Sequence, residues 1–134
     1  QQLYIIKQMI IAMHYQIMLV SCPTVRDQNG LALSSRNQYL TADEQKKASI
    51  IYKGLMHIQD ALDRGQTNAM LLKQSFKTIV QQIPEIKIDY ISIASNKTLD
   101  EISDIIDKNV LVSTAVFFND VRLIDNFTYS SSTT

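Results

Sequence analysis

A single cysteine, Cys22, is all the thiol this sequence carries, which excludes an internal disulfide framework and a thiolate metal cluster. Histidine is nearly as scarce. His14 and His57 stand alone, with no carboxylate or cysteine at metal-ligand spacing, and read as surface or satisfied, partly buried side chains. An excess of one charge is missing too, since 13 basic residues offset 13 acidic ones. No broad field therefore draws the chain to nucleic acid or to anionic lipid, and any anion site has to be local. The six tyrosines are scattered without basic partners, which argues against a base-stacking platform. Long hydrophobic runs are absent as well: Lys7, Gln8, His14 and Gln16 interrupt the apolar stretch 5–20, leaving nothing that could span a membrane.

What is present suits a globular domain. Hydrophobic residues make up 46% and charged residues 19%, a balance that can bury a core. The length fits one domain, or a small domain with the end of another. One cysteine and no visible signal peptide suit a reducing cytoplasm. Gln1 opens an amphipathic pattern with no capping residue before it, so upstream sequence is expected. The small polar run 130–134 reads as a disordered terminus.

Along the chain, Leu3, Ile6, Ile10 and Met13 recur at helical spacing and predict a first helix. Residues 16–22 read as a short strand stopped by Pro23, with Cys22 as a small buried apolar residue. Residues 23–40 show no period, and Asp27, Gln28, Asn29 and Gly30 carry turn chemistry. Thr41 and Glu44 form a capping box, and Asp43 suits the start of a helix dipole. Ala48, Ile51, Leu55, Ile58 and Leu62 then carry one helix to about Arg64, with Lys46 and Lys47 on its solvated side. Thr67 or Asn68 caps the next helix, striped by Leu72, Phe76, Ile79 and Ile83 and ended by Pro84. Ile86–Ser95 and Val110–Phe118 read as strands, the second covered on both faces. Residues 98–102 read as a loop or one helical turn, and 121–126 as a last short strand after an Asn119-Asp120 turn. Helices followed by strands predict an α+β domain.

The chemistry concentrates after Gly30, at Leu33-Ser34-Ser35-Arg36-Asn37. Two hydroxyls and a planar guanidinium make a clamp for phosphate oxygens, and Gly30 lets the backbone turn sharply. The same residues also make an ordinary helix N-cap, so spacing alone leaves both readings open. Arg26 is either a second phosphate contact or the anchor of the loop, with the balance toward the anchor.

The wider string resembles the pantoate–β-alanine ligase family. The resemblance rests on Pro23-Thr24-Val25-Arg26-Asp27, on Gly30 to Asn37 with Tyr39-Leu40, on Gln1-Gln2-Leu3, on Asp89-Tyr90 and Thr98-Leu99, and on Arg122-Leu123-Ile124-Asp125-Asn126. Leu33 stands where the family more often has methionine, and Asn29 where it has aspartate; Ser21-Cys22 replaces a glycine–valine pair. The family's paired-histidine motif and its Gly-Glu-Lys-Asp run have no counterpart here.

This resemblance implies an ATP-dependent ligase that joins pantoate to β-alanine through a pantoyl adenylate. Magnesium would accompany the ATP, and no tightly bound cofactor is implied. Leu33, Ser34, Ser35 and Arg36 would bind the nucleotide through its phosphates, Val25 would line the adenine side, and Gln2 would bind pantoate. Residues 1–22 would be the last helix and strand of a Rossmann-like domain, and residues 23–134 a small C-terminal lid with helices and an antiparallel sheet. The full-length enzyme would be a homodimer in the cytoplasm, and this chain alone inactive. The alternative is a non-catalytic α+β module that binds nucleotide or protein.

Overall fold

The computed structural model describes residues 1–106 and 109–130, and its centre is the apolar run Val110–Phe118. That run forms β2, the middle strand of a three-stranded antiparallel sheet, between β1 (Ile86–Ser95) and β3 (Val121–Tyr129). Val110, Val112, Thr114, Val116 and Phe118 are fully buried on one face. The other face, with Ala115 buried and Leu111, Ser113 and Phe117 half-buried, explains why alternation is hidden in the sequence. The Thr114 hydroxyl is satisfied by donating to the Tyr90 carbonyl at 2.7 Å.

Helices α2 (Ala42–Ala48), α3 (Ile50–Asp63) and α4 (Ala69–Val80) supply the other layer. Ile51, Leu55 and Ile58 of α3 and Leu72, Phe76 and Val80 of α4 join Ile93, Val112, Val116 and Phe118 in one core. The two helices approach closely at Gly54, where a Cβ would lie 2.8 Å from the Phe76 ring. The fold is therefore α+β, as the order of elements predicts.

The capping box at the head of α2 is formed: Glu44 N donates to Thr41 Oγ1 at 3.3 Å, and Thr41 N to Glu44 Oε2 at 2.7 Å. Asn68, not Thr67, caps α4, its Oδ1 accepting from Leu71 N at 3.0 Å. The helix expected to run unbroken from Thr41 to about Arg64 is instead two, divided at Ser49. The buried Ser49 hydroxyl donates to the Lys46 carbonyl at 2.7 Å and competes there with the helical ladder. Strand β1 carries a bulge between Ile88 and Tyr90, which keeps Ile86, Ile91 and Ile93 all in the core although their spacing changes parity. Residues 96–98 form a turn without a helix, and Leu99 has φ of 64°. The last strand is longer than expected, reaching Tyr129 in register with Val110.

Helix α1 (Gln2–Ala12) forms as expected but buries none of its residues. The strand expected at residues 16–22 is not formed: a strand needs a neighbour to pair with, and the described residues offer this segment none. Cys22 is exposed there, contrary to its expected burial, because nothing packs on the segment. Of the polar tail 130–134, residues 131–134 lie outside the described residues, as do residues 107 and 108.

Candidate functional site

The irregular stretch after Pro23 is a small hairpin followed by a 3-10 turn. Arg26 and Ala32 form a bridge, Leu33 N donates to the Val25 carbonyl at 2.9 Å, and Asp27 N to the Leu31 carbonyl at 2.9 Å. Asp27 closes the tip by accepting from Asn29 N at 2.8 Å and Leu31 N at 3.0 Å through Oδ1, an Asx turn. Gly30 sits at φ of 92°, and a Cβ there would lie 2.3 Å from Tyr52 Cδ1. Both the backbone angle and the ring exclude a side chain. Leu31 and Leu40, at the two ends of the segment that follows, are buried in the core and pin it to the helices.

Arg26 is the anchor. Its Nη1 and Nη2 donate to Asp125 Oδ2 and Oδ1 at 2.6 and 2.9 Å, and Nη1 also reaches the Gly30 carbonyl at 3.0 Å. The guanidinium lies 4.1 Å from the centre of the Tyr52 ring. The hydrogen bonds that Arg26 donates to Asp125 raise its pKa above the ordinary value, against the opposing effect of burial. An ion pair, a carbonyl and an aromatic ring already hold this cation inside the fold, which favours the anchor over the phosphate contact.

The 3-10 turn, Ser35–Tyr39, starts from Ser34, whose Oγ accepts from Arg36 N at 3.2 Å. The N-cap reading of Ser34 is thus correct in geometry. It does not use up the turn's chemistry, however. Ser34, Ser35 and Arg36 are all exposed, and the Ser35 hydroxyl and Arg36 guanidinium have no partner among the described residues. Val25 and Leu33, paired across the hairpin, are exposed beside them. Five of the six residues singled out in the sequence therefore share one exposed edge, with a free cation and free hydroxyls next to apolar side chains.

Gln2 lies elsewhere. With Gln1 and Leu3 it borders a cleft of about 410 Å³ whose opposite wall is the outer side of the sheet, with Tyr90, Ser113, Ile124 and Asn126. Arg122 in this wall is paired with Asp89 at 2.9 and 3.1 Å. None of the residues from Val25 to Arg36 lines the cleft; Asp125, which does, links it to the hairpin through Arg26.

The supporting side chains Tyr52, Asp125 and Gln45 received no role from the sequence. One signal pointed to Asp125: it shares parity with the core residue Leu123 in β3, and an acid on a core face demands a buried partner. Among the described residues no three His, Cys, Asp or Glu side chains gather as metal ligands. No helix there is long and apolar enough to cross a membrane.

Residues 1–128 match the sequence profile of the family described as Pantoate-beta-alanine ligase. The pantothenate synthetase of Caldicellulosiruptor saccharolyticus is 40% identical over 126 residues, covering 94% of this chain and 44% of that protein. The pantothenate synthetase of Clostridium acetobutylicum is 37% identical over 130 residues, 97% of this chain and 46% of that protein. A solved pantothenate synthetase from Thermus thermophilus superposes with a TM-score of 0.85 at 32% identity, over 94% of this chain and 45% of its own. The pantoate-beta-alanine ligase of Francisella tularensis, solved with beta-gamma ATP and beta-alanine, superposes with a TM-score of 0.60 at 28% identity, over 94% of this chain and 39% of its own. This chain spans less than half the length of the relatives it matches.

Proposed function

This chain belongs to the pantoate–β-alanine ligase family, and we propose that it is the C-terminal part of an ATP-dependent ligase condensing pantoate with β-alanine to pantothenate. Residues 1–22 then end a nucleotide-binding domain, and residues 23–134 form the lid over its cleft. The exposed apolar side chains of α1, among them Ile5, Met9 and Ile11, support this division, since an isolated domain rarely leaves so much apolar surface of one helix uncovered. The full-length protein is a cytoplasmic homodimer in this reading.

In the first step a pantoate carboxylate oxygen attacks the α-phosphorus of ATP, and the bond to pyrophosphate breaks. In the second, the β-alanine amine attacks the acyl carbon of the pantoyl adenylate, forming the amide and releasing AMP. Magnesium enters with ATP as part of the substrate. Arg36 binds phosphate oxygens bidentately and stabilises charge that grows on the leaving pyrophosphate. Ser34 and Ser35 donate hydroxyl hydrogen bonds to the same chain of phosphates. Leu33 and Val25 pack beside the nucleotide, Val25 on the adenine side, and Gln2 hydrogen-bonds pantoate.

The observation that carries this reading is Arg36, unpaired among the described residues, beside the exposed hydroxyls of Ser34 and Ser35, on a turn that Asn37 ties back to the Ala32 carbonyl. In the full-length protein, Arg36→Ala should weaken ATP binding by about 1–3 kcal/mol, the cost of a charged hydrogen bond. Unchanged ATP affinity would remove the nucleotide from this turn. Full-length protein that binds ATP yet forms no amide from pantoate and β-alanine would instead identify a non-catalytic binding module. The chain by itself should not turn over, because positioning needs both walls of the cleft.

A further inference from the structure

The geometry points to Asn37 and Gln45 as positioning residues that set Ser34, Ser35 and Arg36 in place without touching the nucleotide. This inference rests on the reading of the Ser34 turn as a phosphate clamp. The clamp residues are exposed and, apart from the Ser34 cap, their side chains make no hydrogen bond or ion pair among the described residues. Asn37 is the one buried residue of the turn, and the turn's tethers converge on it.

Asn37 N donates to the Ser34 carbonyl at 3.0 Å, which closes the turn around Ser35 and Arg36. Its Nδ2 donates to the Ala32 carbonyl at 3.1 Å, tying the turn back to the outgoing arm of the hairpin. Its own carbonyl accepts from Leu40 N at 3.0 Å and from Gln45 Nε2 at 2.9 Å. Gln45 Nε2 also reaches the Leu40 carbonyl at 3.2 Å. Gln45 belongs to α2, whose start is fixed by the Thr41–Glu44 capping box. One end of the clamp is therefore fastened to the hairpin and the other to a capped helix.

The remaining atom of the Asn37 amide, Oδ1, is buried with no hydrogen-bond partner among the described residues. Turning the amide over would not help, since Oδ1 would then face the Ala32 carbonyl. A buried acceptor without a partner is a cost to folding. A residue whose only requirement was to fill that volume would carry no such acceptor. Asparagine is needed there for the Nδ2 donor that places the turn.

The test is made on the full-length protein, with separate titrations of ATP and pantoate and a melting curve for each variant. Gln45→Glu keeps the size of the side chain but replaces its donor with a carboxylate facing two carbonyls. It should raise the Kd for ATP about tenfold, the effect of one well-placed hydrogen bond, while leaving the Kd for pantoate unchanged. Gln45→Lys restores a donor and should recover most of the ATP affinity. Asn37→Ser, which shortens the side chain and cuts the Ala32 tether, should resemble Gln45→Glu. If Asn37→Ser does not fold, the Gln45 pair decides alone.

Equal losses for ATP and pantoate, or no rescue by Gln45→Lys, would overturn the positioning role in favour of general stabilisation. Arg36→Ala is measured in parallel to separate the two ideas. If it weakens ATP binding while Gln45→Glu does not, the positioning inference fails and the clamp stands. If neither has an effect, the clamp itself fails, and the inference with it.

Discussion

Arg26 in the hairpin and Asp125 in β3 lie 99 positions apart in sequence and meet in a two-point ion pair, at 2.6 and 2.9 Å. The Asp125 side chain is 4% exposed and that of Arg26 18%, so solvent does little to screen either charge. Tyr52 closes one side of the guanidinium, and the Gly30 carbonyl takes one of its hydrogens. One cation thus joins the hairpin, helix α3 and the sheet.

Asp125→Asn should be strongly destabilising. It keeps the shape but leaves the Arg26 charge largely buried without its counter-ion, a change that costs about 3–5 kcal/mol in buried pairs. Urea unfolding of the variant should show a midpoint shift of that order. Replacing both partners with apolar residues should recover much of the loss, because no orphan charge remains. A single variant within about 0.5 kcal/mol of the parent, the range of ordinary surface changes, would mean that the pair is not closed in solution.

Gly30→Ala strikes the same junction from the backbone side. At φ of 92° a Cβ is strained, and it would sit 2.3 Å from Tyr52 Cδ1, so the ring must leave its place over Arg26. The expected loss is about 1–3 kcal/mol, the range for forcing atoms into a packed site. Trimming the ring in the same molecule, as Tyr52→Ala, should relieve the clash but not the backbone strain. The double variant should therefore be less destabilised than the sum of the singles, a coupling that a double-mutant cycle reads directly.

Local chemistry was legible in the sequence, and distant pairing was not. The Thr41–Glu44 box, the Asn119-Asp120 turn and the limits of β1 and β2 depend on neighbours within a few positions, and they stand where the residue pattern puts them. The bulge in β1 left a trace, the change of parity between Ile86 and Ile91, but its cause lies in pairing with β2. Residues 16–22 have a strand's composition without a strand's partner. At the site, the Ser34 turn could be read from its residue types, whereas Tyr52 and Asp125 could not, since their contacts with Arg26 span long separations. Nor could any motif reveal that Gln2 lines a cleft apart from the turn.

Ser34 has two tasks that substitution can separate. As the cap of the turn it accepts from Arg36 N, and as a clamp residue it donates to phosphate. Ser34→Ala loses both, and should cost about 1 kcal/mol of stability together with ATP affinity. Ser34→Asp keeps a capping acceptor but faces the triphosphate with a negative charge. Its melting temperature should stay near the parent's while ATP binding falls below that of Ser34→Ala. Retained ATP affinity in Ser34→Asp would put the phosphates away from this hydroxyl.

Glu101 gives the fold a pH dependence on its acid side. Burial, the largest single influence, pushes its pKa up, yet hydrogen bonds from Lys73, Ser92 and the Ile93 amide together hold it below the ordinary 4.5. The folded state therefore prefers the carboxylate. That preference adds stability above pH 4.5, the unfolded value, and is lost as pH falls through the lower folded value. Because the side chain is 48% exposed, solvent screening keeps the gain within the range of about 0.2–1 kcal/mol. Glu101→Gln should melt lower than the parent at pH 7 and match it at a pH low enough to protonate Glu101 in the folded state, where both side chains are neutral. The variant keeps one acceptor oxygen, for Ser92 or for Ile93, but loses the charge facing Lys73, so added salt should narrow the gap at pH 7 as well. A gap of the same size at both pH values would assign the effect to packing of the 96–106 loop and not to the charge.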